Sequence, residues 1–493
     1  MLLFVLDESS RIPKFRQIME HIRARVDNGD LRPGDRLPST RRLAESLGVH
    51  RSTVAIAYQE LWALGYLSLS PGRVPRVRSR ALITTARAGS HAGSIDWEKA
   101  VSPAARTLLR THRERTAPAP RDVIDFSRLD MDERLFPADA FRSCLSRVLR
   151  QKPGELLGYG DSAGYRPLRE WIAHRLATHG IAATADEIVL TSGCQQALDL
   201  VLRMLARPGR AVAVESPTYD MAPPLLRFHG LRPVGVPVAD DGMDLDRLGE
   251  VLQRESPVLV YTMPSFQNPT GISTGQAHRE RLLSLCLDRR VPIFEDSFDE
   301  EMKYFGRAVL PLKSMDHRHT VIYSGTFSKV LFPGVRIGWV VAERRCVEYL
   351  VAIRRYSELS SNLVLQAAME EFCRNGYYEA HVSRMHRVFR RRMRTALQAL
   401  RRWMSPEWVT WPEPSGGYLI WLRLRLPPGR PVELGRALAE HGVRAAPGED
   451  FFPAEPSGPC LRLSISGLDE QAITVGIQRL AAALESVRRR PAG

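Results

Sequence analysis

Short apolar runs separated by amphipathic stretches constrain this chain more than any other feature. From about residue 123 they recur as Glu187-Ile188-Val189-Leu190-Thr191, Ala211-Val212-Ala213-Val214, Val258-Leu259-Val260-Tyr261 and Val291-Pro292-Ile293-Phe294. Runs that are apolar throughout imply strands buried on both faces, and helices between them imply a parallel sheet. The expected class is therefore α/β. Ligands of such sheets bind beyond the carboxyl ends of the strands, and the polar segments of this chain fall there.

The segment Tyr323-Ser324-Gly325-Thr326-Phe327-Ser328-Lys329-Val330-Leu331-Phe332-Pro333-Gly334-Val335-Arg336 sets one lysine among hydroxyls, with an arginine seven residues on. A lysine that captures an aldehyde cofactor needs an anchored phosphate nearby, and hydroxyls with a guanidinium supply that anchor. Taken alone, the stretch also suits a surface loop with a solvated lysine. It resembles the Schiff-base lysine segment of fold-type I pyridoxal 5′-phosphate (PLP) aminotransferases. The resemblance implies that Lys329 carries PLP, with Thr326, Ser328 and Arg336 on its phosphate.

Further segments share that resemblance. Thr191-Ser192-Gly193-Cys194-Gln195-Gln196-Ala197 follows a strand and opens a helix, where backbone N–H groups bind phosphate; Gly193, Cys194 and Gln195 are carried over as its cradle. Cys194 departs from the family's usual hydroxyl or alanine. In Glu215-Ser216-Pro217-Thr218-Tyr219, Tyr219 is placed to stack on the pyridine ring or is a core tyrosine. In Met263-Pro264-Ser265-Phe266-Gln267-Asn268-Pro269-Thr270-Gly271, Asn268 is expected to donate to the phenolic oxygen, although Asn-Pro also marks an ordinary turn. In Phe294-Glu295-Asp296-Ser297-Phe298-Asp299-Glu300, Asp296, directly after its strand, is expected to pair with the pyridine nitrogen. Phe298 stands where relatives have a tyrosine, and it cannot donate a hydrogen bond. Leu157-Gly158-Tyr159-Gly160 resembles the segment that reaches the partner subunit's phosphate, with Tyr159 as its contact. In Cys460-Leu461-Arg462-Leu463-Ser464, Arg462 is expected to grip a substrate carboxylate or to serve a structural ion pair.

The N-terminal part has another pattern. Phe15, Ile18, Met19, Ile22 and Val26 recur at helical spacing. Ser39 is a helix cap for a second helix with Leu43, Ala44 and Leu47 inward, ended by Gly48. A third helix begins near His50-Arg51-Ser52-Thr53 and buries Val54, Ala57, Tyr58 and Leu61, and Tyr66 to Ser70 reads as a strand before the turn Pro71-Gly72. Three helices and a hairpin make a winged helix-turn-helix. Leu37 to Ala44, Leu47 to Val54 and Gly65-Tyr66-Leu67 resemble the GntR family of bacterial regulators. That resemblance puts Arg51, Ser52, Thr53 and Arg41 against phosphates and base edges in the major groove, and Gly72 and Arg73 at the wing tip.

The chain has 493 residues and a net charge of +15. Residues 1–80 hold fourteen Arg or Lys against eight Asp or Glu, and residues 81–122 hold seven against four. That excess suits a polyanionic partner such as promoter DNA. Six cysteines far apart, without a CxxC pair, argue against a zinc site or a disulfide frame. No apolar run is long enough for a membrane span. No basic leader precedes Leu2 to Leu6, so no signal peptide is expected, and the expected location is the cytoplasm. The thirteen histidines form no metal-ligand set.

Three parts are expected: a winged helix-turn-helix over 1–78, a mostly extended linker over 79–122 with a short helix within 97–109, and an aminotransferase-like unit over 123–493. Arg384 to Arg402 reads as a solvated helix face, with Val388, Met393 and Leu397 inward. The combination resembles the MocR subfamily of GntR regulators. It implies a PLP-dependent transcription factor that senses an amino acid, an amine or PLP by imine exchange at Lys329, working as a head-to-tail homodimer. The alternative is an active aminotransferase that carries a DNA-binding unit.

Overall fold

A computed structural model describes residues 4–10, 12–70, 74–78, 95–115, 122–306, 309–426, 431–456 and 458–489. The chain folds as two compact units, Met1–Asp96 and Trp97–Gly493. The boundary falls inside the stretch expected to be a linker. Of that stretch, Trp97–Ala100 and Pro103–Arg115 are helices; a short helix is expected within 97–109, and the second runs on past it to Arg115.

In the first unit the helices are Lys14–Asp27, Thr40–Leu47 and Arg51–Ala63. Ser39 caps the second by accepting from the Arg42 amide at 3.3 Å, and Gly48 ends it in a left-handed turn at φ +63°. Ile18, Ile22, Leu43, Val54, Ala57, Tyr58 and Leu61 pack into one core with Leu67 and Val77. Leu67–Ser68 and Arg76–Val77 pair antiparallel as a two-stranded wing. The expected wing-tip residues Gly72 and Arg73 lie outside the described residues.

The second unit is built on an eight-stranded sheet. Its order in space is Ile188–Thr191, Gly338–Val341, Val321–Thr326, Ile293–Asp296, Val260–Thr262, Ala211–Ser216, Arg232–Ala239 and Gly242–Met243. The five strands from Val321–Thr326 to Arg232–Ala239 run parallel, and Gly338–Val341 runs against both its neighbours. Helices cover the sheet, as fully buried strands such as Ile188–Thr191 require. Two strands end later than expected: Val260–Thr262 runs one residue past Tyr261, and Ile293–Asp296 carries Asp296 as its last residue. Beyond it, Val409–Thr410, Leu419–Leu424, Cys460–Ser464 and Ala446–Pro447 form a four-stranded sheet, with Arg462 opposite Trp421.

One expectation about a helix face is overturned. Within the long helix Tyr377–Trp403, Arg392 is buried and paired with Asp132. Arg390 and Arg391 before it are exposed as expected, but Asp132 comes from a segment 260 residues away.

Candidate functional site

The carboxyl ends of the parallel strands converge on one pocket of about 190 Å³. Gly193 comes from the turn after Ile188–Thr191 and Cys194 and Gln195 from the first turn of the helix it opens, Tyr219 from the turn after Ala211–Ser216, and Asn268 from the turn after Val260–Thr262. Asp296 ends its own strand, and Thr326, Ser328, Lys329 and Arg336 follow Val321–Thr326 or close it. These residues, far apart in sequence, line a single pocket, with Leu129, Met263 and Phe298 completing it.

Asp296 is buried, and only one of its oxygens is engaged. Tyr261 donates to Oδ2 at 2.9 Å, while Oδ1 has no partner among the described residues. Burial pushes this carboxyl up to about 6, against the lowering effect of the Tyr261 hydroxyl. A buried carboxylate oxygen with nothing to accept from is costly, and a protonated ring nitrogen at Oδ1 would remove that cost. Tyr261 had no expected role; in an apolar strand its hydroxyl gives no local signal.

At the other end of the pocket the helix Cys194–Leu205 begins with free amide N–H groups and no side-chain cap. Gly193 holds φ +98°, and a Cβ there would stand 3.2 Å from the Arg336 guanidinium. Arg336 is anchored by donating to the Ser192 carbonyl. Ser328 Oγ is buried without a partner among the described residues. Thr326 Oγ1 already donates to the Ile337 carbonyl at 3.1 Å and accepts from the Ser328 amide. Amides, a hydroxyl and a guanidinium around one spot are the donor set of a phosphate.

Lys329 Nζ donates to the Leu129 carbonyl at 3.4 Å. Burial lowers its proton affinity below the ordinary lysine value, opposed by Asp130 and Asp299. Cys194 is pushed well up by burial and by the Asp296 charge, which keeps it a thiol. Tyr219 is also raised, chiefly by burial, so it stays a neutral ring.

Arg462 is buried and donates to Asn268 Oδ1 at 3.3 Å and to the Ser127 carbonyl, with its guanidinium 4.8 Å from the Phe451 ring centre. Asn268 thereby accepts through Oδ1, which leaves its amide N–H₂ as a donor. Behind this turn lies a second set of contacts that the sequence did not point to. Glu215 accepts from Thr262, from the Met263 amide and from Gln267, tying the Tyr219 and Asn268 turns together. Tyr159 is not in the pocket: it is 87% exposed, and Leu157 and Tyr356 are exposed as well.

In the first unit, Arg41, Arg51 and Ser52 are exposed and Thr53 is half-buried. Arg51 Nε donates to Thr40 Oγ1 at 3.3 Å, which joins the start of its helix to the start of the preceding one. Ser52 Oγ pairs with His50 Nδ1 at 2.6 Å. Among the described residues no group of side chains suits a metal ion, and no helix is long and apolar enough to cross a membrane.

Two family models match. Aminotransferase class I and II covers residues 123–480, and the gntR family of bacterial regulatory proteins covers residues 14–77. The Probable rhizopine catabolism regulatory protein MocR of Rhizobium meliloti is 32% identical over 488 residues, 98% of this chain and 96% of that protein. Aromatic-amino-acid aminotransferase 1 of Thermococcus litoralis is 35% identical over 70% of this chain and 84% of its own. The crystal structure of the alpha-aminoadipate aminotransferase LysN of Thermus thermophilus, complexed with N-(5′-phosphopyridoxyl)-L-leucine, superposes with a TM-score of 0.73 at 33% identity. That match covers 80% of this chain and 99% of the other. The second unit thus has the fold-type I aminotransferase architecture and the first the winged helix, and the chain belongs to the MocR-type regulators of the GntR family.

Proposed function

We propose that this chain is a PLP-dependent transcriptional regulator that binds promoter DNA through residues 14–77 and senses an amino acid, an amine or PLP itself at Lys329. The observation that carries the reading is the convergence of Lys329, the free oxygen of Asp296 and the phosphate-type donors on one pocket. When bound, PLP supplies an aldehyde that condenses with primary amines and a ring that draws electrons once its nitrogen is protonated.

Lys329 holds the cofactor through Nζ. Asp296 Oδ1 would keep the ring nitrogen protonated, Tyr219 would cover the ring, and the Asn268 amide would donate to the phenolic oxygen. The Gly193, Cys194 and Gln195 backbone, with Thr326, Ser328 and Arg336, holds the phosphate. Arg462 would hold the carboxylate of an amino-acid ligand. Phe298 cannot donate at the position where aminotransferases of this fold have a tyrosine, so turnover is weak. The exposed Tyr159 reaches the phosphate site of a partner subunit, which makes the working form a homodimer, head-to-tail, in the cytoplasm. Each DNA-binding unit then reads one half-site. Ligand changes DNA binding only to the extent that it binds one dimer arrangement better than the other.

One observation favours the second reading, an active aminotransferase. The contact between Asn268 and Arg462 keeps the carboxylate-gripping arrangement of an enzyme in place. Two measurements separate the readings. Footprints on upstream DNA that change with an added amine support the regulator, whereas turnover of an amino acid with 2-oxoglutarate faster than release from DNA supports the enzyme. Lys329→Ala is expected to keep the fold and lose the borohydride-fixable cofactor. A variant that still fixes PLP overturns the assignment of Lys329.

A further inference from the structure

The two cations expected to meet a ligand are both occupied by one short stretch of backbone. Arg462 donates to the Ser127 carbonyl at 2.5 Å, and Lys329 donates to the Leu129 carbonyl at 3.4 Å. The stretch is pinned on either side. Before it, the Phe126 amide donates to the Arg444 carbonyl and the Phe126 carbonyl accepts from the Ser464 amide, both at 2.8 Å. After it, the Asp130 carbonyl accepts from Ser466 Oγ at 2.8 Å, and Asp132 is paired with Arg392. Among the described residues Asn268 and Leu129 line the pocket, and Arg462 does not. Arg462 is 4% exposed, with its other arm on Asn268 Oδ1 and its face on the Phe451 ring.

We propose that residues 127–129 are a latch standing in for the ligand: the Ser127 carbonyl occupies Arg462 until a ligand carboxylate replaces it, so an amino acid opens the latch and a simple amine leaves it closed. A buried guanidinium must keep its acceptors, and a peptide carbonyl supplies one in place of ligand. A carboxylate offers the planar fork two oxygens and a full negative charge, which a single carbonyl cannot match. The exchange breaks no covalent bond and moves no proton. The bond to Lys329 is the longer and weaker of the two. Lys329 leaves the Leu129 carbonyl when it holds the cofactor, and the contact that then remains is the one a carboxylate breaks. The inference rests on the reading of the pocket as a PLP site with Arg462 as its carboxylate holder.

The other contacts of Arg462 are held firmly from behind. Phe451 packs edge-on against Trp421 with ring centres 5.7 Å apart, and its carbonyl accepts from the Thr218 amide at 2.8 Å. The turn that carries Asn268 is fixed by Gln267, which donates to the buried Glu215 at 3.0 Å. The latch has weaker ties. The Ser127 amide and hydroxyl both bond to Asp125 Oδ1, at 2.8 and 2.5 Å, within the same stretch of chain. Arg128 and Asp130 are exposed and paired with each other at 3.0 Å, a contact worth little in water. The Ser127 carbonyl is therefore the acceptor that yields at least cost.

The test uses the full chain stripped of cofactor and two stable adducts, N-(5′-phosphopyridoxyl)-L-alanine and N-(5′-phosphopyridoxyl)ethylamine, which differ only in the carboxylate. Trypsin cuts after arginine, and cleavage of the Arg128–Leu129 bond follows the population in which the latch is lifted from the fold. The rate of that cut is measured by mass spectrometry. The alanine adduct is expected to make it about tenfold or more faster than the ethylamine adduct does. Equal rates with both adducts bound overturn the proposal, as does a slower cut with the alanine adduct. Arg462→Met removes the anchor and is expected to be cut at the fast rate with no ligand present; a rate equal to the parent's also overturns the proposal. Should that variant not fold, the two adducts on the parent decide. Failure of both adducts to bind, read from the pyridoxyl fluorescence, refutes the PLP reading of the pocket and the latch with it.

Discussion

Asp132 shows how one buried side chain couples distant parts of the second unit. It accepts from Arg134 through both oxygens, at 2.8 and 2.9 Å, and from the buried Arg392. Burial alone would raise this carboxyl, but the arginine bonds outweigh it and hold it at about 2, below the ordinary 3.8. A depressed carboxyl stabilises the fold in full above its unfolded value, and that contribution disappears as pH falls from 3.8 through about 2. The melting temperature is therefore expected to fall over that window, and Asp132→Asn is expected to flatten the dependence. Arg392→Ala removes one of the two guanidinium partners of Asp132 and leaves Arg134 on both of its oxygens, for a loss of about 1–3 kcal/mol, read as a lowered melting temperature. Arg390, Arg391 and Arg392 look alike along the chain, and only the arrival of Asp132 distinguishes the third.

At the level of elements, the first unit was the more readable. Ser39, Gly48 and the periodicity of Val54, Ala57, Tyr58 and Leu61 mark helix starts, stops and inward faces through bonds and contacts made within a few residues. Ser39→Ala removes the bond to the Arg42 amide and is expected to cost about 1 kcal/mol, seen as earlier melting of the N-terminal unit. The opening of Cys194–Leu205 is a stricter test. At Gly193 an alanine would be strained by its positive φ and would press on Arg336. Gly193→Ala is expected to weaken PLP binding about tenfold or more, equivalent to about 1.4 kcal/mol, measured by absorbance titration. Strand ends were less legible, because apolar runs do not announce which residue turns out of the sheet: Asp296 lies inside its strand rather than after it.

For the whole molecule, the two compact units divide the work by their charge and their chemistry. Arg51 stands exposed at the start of the helix Arg51–Ala63, where its cation favours phosphate, while the Ser52 amide is already taken up by His50 Nδ1. Arg51→Ala is expected to weaken promoter binding and make the slope of log affinity against log salt shallower by about one. The PLP spectrum should remain that of the parent, since the pocket is built wholly from the second unit. An unchanged slope would remove Arg51 from the interface.

Taken by itself, the chain determined what depends on near neighbours: the strand–helix alternation, the caps and glycine stops, and the motif segments with Lys329, Asp296 and Asn268. Hydrogen bonding and burial along a few residues leave periodic and compositional marks that can be read directly. Tertiary packing decided the order of the eight strands, the ion pair of Arg392, the contact of Arg462 with Asn268, and which buried oxygens keep no partner. Each of these joins residues tens to hundreds of positions apart. Their energies depend on distance and burial, which exist only once the sheet and the helices over it have closed.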